Sequence, residues 1–240
     1  MFLNKKESTE HNKSIWRKIG SLLYRYRHGL LLLYAFIYMP WFSSLEQTVT
    51  TRFYMIHMVV DDYIPFIEYF IVPYMIWFGY IAVTGAFFFF FEPENFKKFC
   101  YFLFTGMTIF VIVSTVYPNG AYLRPIVFPR DNIFTDVVKW LYSTDTPTNL
   151  FPSIHVYNSI VAHWAVAKSS ILHKRKGIQI ASFILMASIV VSTVFLKQHS
   201  LFDLITGVML AVMVGILIYP PHWLKKLCTK TASSQSEPNI

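Results

Sequence analysis

The chain has 240 residues, of which 55% are hydrophobic and only 14% charged, and its mean hydropathy is +0.44. That balance excludes an ordinary soluble domain and points to an integral membrane protein. A formal charge of +8 would suit a nucleic-acid partner, but the basic residues fall between apolar runs instead of along one stripe, which argues for membrane topology and against nucleic acid.

In chain order, residues 1–28 are polar and basic and carry no small-residue cleavage site, so they are expected to be a cytosolic tail and not a removable signal. Six apolar runs follow, at about 29–45, 67–91, 98–117, 152–171, 178–197 and 200–219, each near the roughly 20 residues that a bilayer requires. They predict an all-α bundle of six spans over 29–222, with 223–240 as a second cytosolic, disordered tail. Pro40 and Pro73 interrupt the first two runs as candidate kinks. Cys100 and Cys228 stand alone, so neither a disulfide framework nor a metal motif is expected.

Sixteen lysines and arginines fall on the side of the termini and five on the other, which predicts cytosolic termini. Three connections then lie outside. The first, about 46–66, holds Asp61 and Asp62, read here as solvated. The second, about 118–151, carries Phe134, Val137, Val138 and Leu141 on one helical face, the pattern of a short amphipathic helix on the membrane surface. The third is a tight turn near 197–200.

This topology brings polar residues from distant segments to one face. His155 opens the fourth run and His199 opens the sixth. Imidazoles at membrane depth are costly and call for a reason. Asp203 follows His199 by four residues, one helical turn, where a carboxylate can accept a hydrogen bond from one ring nitrogen and free the other for attack. His155 then stands as a general acid. A phosphoryl group also needs cations and N–H donors. Arg124, Lys197, Ser153 and the amides opening the fourth run are candidates to supply them. His163, in the middle of the fourth run, reads as an interhelical contact. His28 and His57 read as interfacial or solvent-facing.

Three motifs carry a family resemblance: Tyr117-x6-Arg124-Pro125, Pro152-Ser153-Ile154-His155, and Ser192-Thr193-x5-His199-x3-Asp203. In order, spacing and six-span layout the chain resembles the type 2 phosphatidic acid phosphatase superfamily, which includes the vanadium haloperoxidases. That superfamily shows Lys-x6-Arg-Pro, Pro-Ser-Gly-His and Ser-Arg-x5-His-x3-Asp. Tyr117, Ile154 and Thr193 depart from this pattern and remove two phosphate-binding cations, for which Lys197 is a partial substitute. Asp61 through Pro65, with Pro73, Tyr74 and Trp77, is also similar to an upstream signature of branches such as the inositol phosphorylceramide synthases.

The resemblance implies that His199 attacks phosphorus, oriented by Asp203, and that His155 protonates the leaving group. Arg124, Ser153 and Ser192 would hold phosphate oxygens, with Tyr117 and Lys197 beside them and no metal or other cofactor. The expected activity is hydrolysis of a membrane lipid phosphate such as phosphatidate, phosphatidylglycerol phosphate or a polyprenyl diphosphate, on the extracytoplasmic face of a bacterial plasma membrane. Two alternatives stand beside it: lipid head-group transfer, and a catalytically silent scaffold or transporter.

Overall fold

In hydrocarbon every backbone N–H and C=O must be satisfied within the chain, so apolar runs of this length fold as helices. A computed structural model describes residues 16–17, 20–21, 24–49 and 52–221. The tail expected over 223–240, and most of that over 1–28, lies outside the described residues. A 3-10 segment, Arg27–Tyr34, leads into α1 (Ala35–Thr48), followed by α2 (Val59–Tyr63), α3 (Ile71–Phe91), α4 (Pro93–Val116), α5 (Ile133–Thr144), α6 (Ile154–Lys168), α7 (Lys176–Phe195) and α8 (Leu201–Ile218). Five of the described helical segments are long and apolar enough to cross a membrane: Arg27–Thr48, Glu68–Phe91, Pro93–Val116, Lys176–Phe195 and Leu201–Ile218.

The run expected as the fourth span is α6, which has only 15 residues, about 22 Å at 1.5 Å per residue. It is the axis of the bundle, packed against α3, α4, α7 and α8. Its second half carries three alanines, Ala162, Ala165 and Ala167, of which Ala162 and Ala165 are fully buried. Close approach is also written into its neighbours. A Cβ on Gly106 of α4 would lie 2.1 Å from the Tyr157 ring, and one on Gly207 of α8 would lie 2.9 Å from the Ser153 carbonyl oxygen. Tyr157 then reaches across to donate its hydroxyl to the Phe102 carbonyl at 2.6 Å.

Both ends of α6 are closed by residues from elsewhere. At the C-terminal end the Glu92 carboxylate, between α3 and α4, accepts from the Ser169 hydroxyl, from the Ser170 N–H (2.9 Å) and hydroxyl (3.0 Å), and from the Ile171 N–H. This capping ends the helix at Lys168. Nearby, Asn95 donates to the Ala165 carbonyl and accepts from the Tyr219 hydroxyl. His163 meets the Ser182 hydroxyl at 3.0 Å, an interhelical contact, and His28 is buried with its Nε2 3.0 Å from the Phe89 carbonyl.

The other end is covered by the connecting segments. Two short parallel strands, β1 (Tyr54–Met55) and β2 (Asn119–Gly120), join the first connection to the second. Helix α5 starts at Asn132, whose side chain accepts from the Phe134 and Thr135 N–H groups. Its apolar stripe faces the protein: Val138 and Leu141 are buried with Ile71, Tyr74 and Leu196. The same segment is fastened by Arg130, which grips the fully buried Glu68 carboxylate through two bonds of 2.6 and 2.7 Å.

Candidate active site

Ser153 is the N-cap of α6. Its hydroxyl accepts from the Val156 N–H, and its own N–H donates to the Asp203 carbonyl at 3.3 Å. That bond joins the start of α6 to the first turn of α8, where Ser200 and Asp203 form a reciprocal capping box. The turn between α7 and α8 is equally constrained. The Thr193 carbonyl accepts from the N–H groups of Gln198 (3.0 Å) and His199 (3.1 Å), and Lys197 adopts a left-handed φ of 53°. Caps and turn together fix where two imidazoles sit.

The His155 and His199 ring centroids are 5.6 Å apart. His199 Nδ1 lies 3.6 Å from Asp203 Oδ2, beyond a direct hydrogen bond but in ion-pair range. Asp203 is fully buried and His199 is 5% exposed. His155 is walled by aromatic rings, Tyr74 at 4.7 Å and Trp77 at 4.4 Å between centroids. His155 Nδ1, His199 Nδ1, Asp203 Oδ1, the Tyr74 hydroxyl and Trp77 Nε1 are all buried without a hydrogen-bond partner. Buried polar atoms are nearly always paired, so this concentration of unpaired ones around two histidines singles the cluster out as the candidate site.

The remaining expected residues divide. Arg124 comes to the site's edge. It donates through Nη1 to the Tyr142 (3.0 Å) and Asp145 (2.9 Å) carbonyls, and through Nη2 to Gln198 Oε1 at 2.6 Å. Gln198 immediately precedes His199, so Arg124 is one side chain away. Lys197 turns from the histidines and donates to the Asp61 carbonyl at 2.6 Å. Ser192 bonds back to the Ile189 carbonyl of its own helix. Tyr117 stacks on Tyr54 at 4.5 Å and is 41% exposed, facing that ring and not the histidine pair.

Asp61 is the largest difference from the solvated loop expected for it. It is 2% exposed, and its carboxylate accepts from the Ser200 hydroxyl (2.6 Å), the Leu201 N–H (2.8 Å) and the Met58 N–H (2.8 Å). It holds the N-terminus of α8, the residues directly after His199. Asp62 pairs instead with His57 at 2.9 Å.

Gln198, Asp145 and Glu46 also went unread in the sequence. Asp145 accepts from Gln198 Nε2 at 3.4 Å, and burial together with neighbouring Glu46 pushes its carboxyl up to about 6. Burial also lowers the Arg124 pKa, with nearby Asp145 opposing that shift. Among the described residues no three His, Cys, Asp or Glu side chains gather as a metal-binding group.

Residues 123–226 match the model of the PAP2 superfamily, consistent with a type 2 phosphatidic acid phosphatase superfamily member. The matched stretch contains Arg124, Ser153, His155, Ser192, Lys197, His199 and Asp203, while Tyr117 lies before it. No curated protein and no solved structure matches the chain. The family match points to phosphatase or related phosphotransferase chemistry on a membrane protein.

Proposed function

We propose that this protein is a lipid phosphate phosphatase that works through a phosphohistidine. His199 attacks phosphorus, the bond to the lipid oxygen breaks, and His155 gives its proton to the departing alkoxide. Water, deprotonated by His155, then attacks the phosphohistidine and releases inorganic phosphate. Asp203 holds His199 Nδ1 so that Nε2 is the attacking atom. Ser153 and the first amides of α6 receive phosphate oxygens, and Arg124 stabilises the charge that builds on them. The substrate is a membrane lipid monoester or diphosphate of the phosphatidate, phosphatidylglycerol phosphate or polyprenyl diphosphate kind.

The reading is supported above all by one observation: two imidazoles and a buried carboxylate meet from α6 and α8 with their polar atoms unpaired. In this reading α6 is a sixth span, both termini are cytosolic, and the histidines open to the extracytoplasmic face of a bacterial plasma membrane. Head-group transfer to an alcohol is the second reading. The aromatic walls around His155, which limit water, favour it.

The test is a lipid-panel assay of the full chain in nanodiscs, following free phosphate and any new phospholipid. Wild type releases phosphate, His199→Ala does not, and vanadate, a mimic of five-coordinate phosphorus, inhibits. Phosphate release by His199→Ala at the wild-type rate would remove the proposed nucleophile.

A further inference from the structure

The polar groups around the histidines are out of charge balance. Among the described residues four carboxylates, Glu46, Asp61, Asp145 and Asp203, gather there with two permanently cationic side chains, Arg124 and Lys197. Asp61 is satisfied by the start of α8, and Asp203 faces His199. Glu46 and Asp145 share one permanent cation, Arg124, whose charge acts on both. Among the described residues no lysine, arginine or histidine nitrogen lies within 4 Å of either carboxylate. Arg124 is adjacent, yet it spends its N–H groups on the Asp145 backbone carbonyl, the Tyr142 carbonyl and Gln198.

The two acidic groups come from different elements. Glu46 belongs to the last turns of α1, and Asp145 is the residue that closes α5. Glu46 accepts from the Thr146 hydroxyl at 2.5 Å and from Asn149 Nδ2 at 2.8 Å. Asn149, held in a left-handed backbone conformation, is 95% buried, and its Oδ1 has no partner. The Tyr74 hydroxyl is likewise buried, with Gln198 as its nearest hydrogen-bonding group and the charges of Asp145 and Arg124 beside it. An unspent acceptor beside two carboxylates that share a single arginine asks for a donor that brings positive charge. A polyol would fill the acceptor but leave the charge.

Resting on the phosphate site described above, we propose that Glu46, Asp145 and Asn149 form a seat for an ammonium group that the substrate carries a short tether away from its reacting phosphate. Gln198 sets the tether. It touches Asp145 on one side and is bonded to His199 on the other, so phosphate and ammonium are separated by little more than one side chain. A 2-aminoethyl phosphate ester has that form. It occurs both as a phosphoethanolamine head group and in the phosphates of long-chain amino alcohols. Such a zwitterion brings its own counter-charge into a site where a bare phosphate would meet two carboxylates that have Arg124 alone as a permanent cation between them.

The experiment measures binding of matched probes to the full-length protein in nanodiscs, using His199→Ala to prevent turnover. Dodecyl 2-aminoethyl phosphate is compared with dodecyl 2-hydroxyethyl phosphate, and a long-chain amino alcohol phosphate with its N-acetyl derivative. The two pairs distinguish a head-group amine from a chain-borne one. The amine member of at least one pair is expected to bind about tenfold tighter at pH 7.5, an advantage of about 1.4 kcal/mol. Glu46→Gln and Asp145→Asn should each shrink that ratio below about twofold.

The advantage should also fade as the pH drops through about 6, where Asp145 takes up a proton in the company of Glu46, Arg124 and His199. If the neutralising variants do not fold, competition by free ethanolamine against the amine probe gives the same answer. Equal affinity within both pairs, or an amine advantage that survives in both variants, overturns the seat. Phosphate release from phosphatidate without amine preference sinks the seat alone. Amine preference alongside full turnover by His199→Ala upholds the seat and sinks the catalytic reading.

Discussion

The two ends of the central helix use similar residues to opposite effect. At its C-terminal end a carboxylate, Glu92, a carboxamide, Asn95, and three serine and tyrosine hydroxyls answer one another, and no buried side-chain atom there lacks a partner among the described residues. At its N-terminal end the same chemical classes, with two imidazoles added, leave His155 Nδ1, His199 Nδ1, Asp203 Oδ1 and the Tyr74 hydroxyl unpaired. A satisfied network makes a joint, while an unsatisfied one holds its polar groups ready for something that arrives later. Stability should therefore be sensitive at one end and turnover at the other.

The strongest way to break this contrast is at His199. Replacing it with alanine should lower phosphate release by about 10⁴-fold or more while the thermal midpoint stays within a few degrees. A comparable loss of folded protein would make His199 a joint like Glu92. His155→Ala comes next, with an expected loss of about 10² to 10⁴ in kcat and little change in KM, as for a group that acts on the leaving oxygen. Asp61→Asn sharpens the picture from outside the histidine pair. It keeps the shape but weakens the grip on α8, so kcat should fall roughly tenfold with a shifted pH profile, since the bonds lost are charge-assisted.

At the satisfied end the order reverses. Glu92→Ala should cost about 2 kcal/mol of stability, read as an earlier thermal midpoint, with the specific activity of the folded fraction unchanged. The hydrogen bonds from Ser169, Ser170 and Ile171 overcome desolvation and hold the Glu92 carboxyl below its ordinary 4.5. Its contribution is therefore complete above pH 4.5 and is lost as the pH falls further. A melt series from pH 6 to 3 should show that loss in wild type and a flatter curve in Glu92→Gln.

What could be read from the sequence follows from the range of each interaction. His199 and Asp203 are one helical turn apart, and His155 opens an apolar run, so local periodicity was enough to single them out. Asp61 looked solvated because its partner, Ser200, is 139 residues away. Glu46, Asp145 and Gln198 were missed for the same reason: ordinary polar residues in connecting segments acquire meaning only when three distant stretches meet. Lys197 stood beside His199 in sequence, but a left-handed backbone turns its side chain toward Asp61. The apolar stripe of α5 was visible, yet only packing reveals that it lies against Ile71 and Leu196. The short length of α6 was hidden because Glu92, from another connection, decides where it stops.

That short helix also acts as a depth gauge. Gly106 of α4 faces the Tyr157 ring, and α4 continues ten residues further, to Val116, a rise of about 15 Å. His155 lies two residues before Tyr157, which leaves the histidine pair roughly 12 Å below the top of that wall. On the proposed function a head group sinks through that distance to react, and the thickness of the surrounding bilayer becomes part of the site's geometry. Hydrophobic mismatch, usually discussed as a matter of helix tilt and sorting, would here set the position of a substrate along its own reaction path. Nanodiscs of shorter and longer acyl chains would turn that depth into a measured rate.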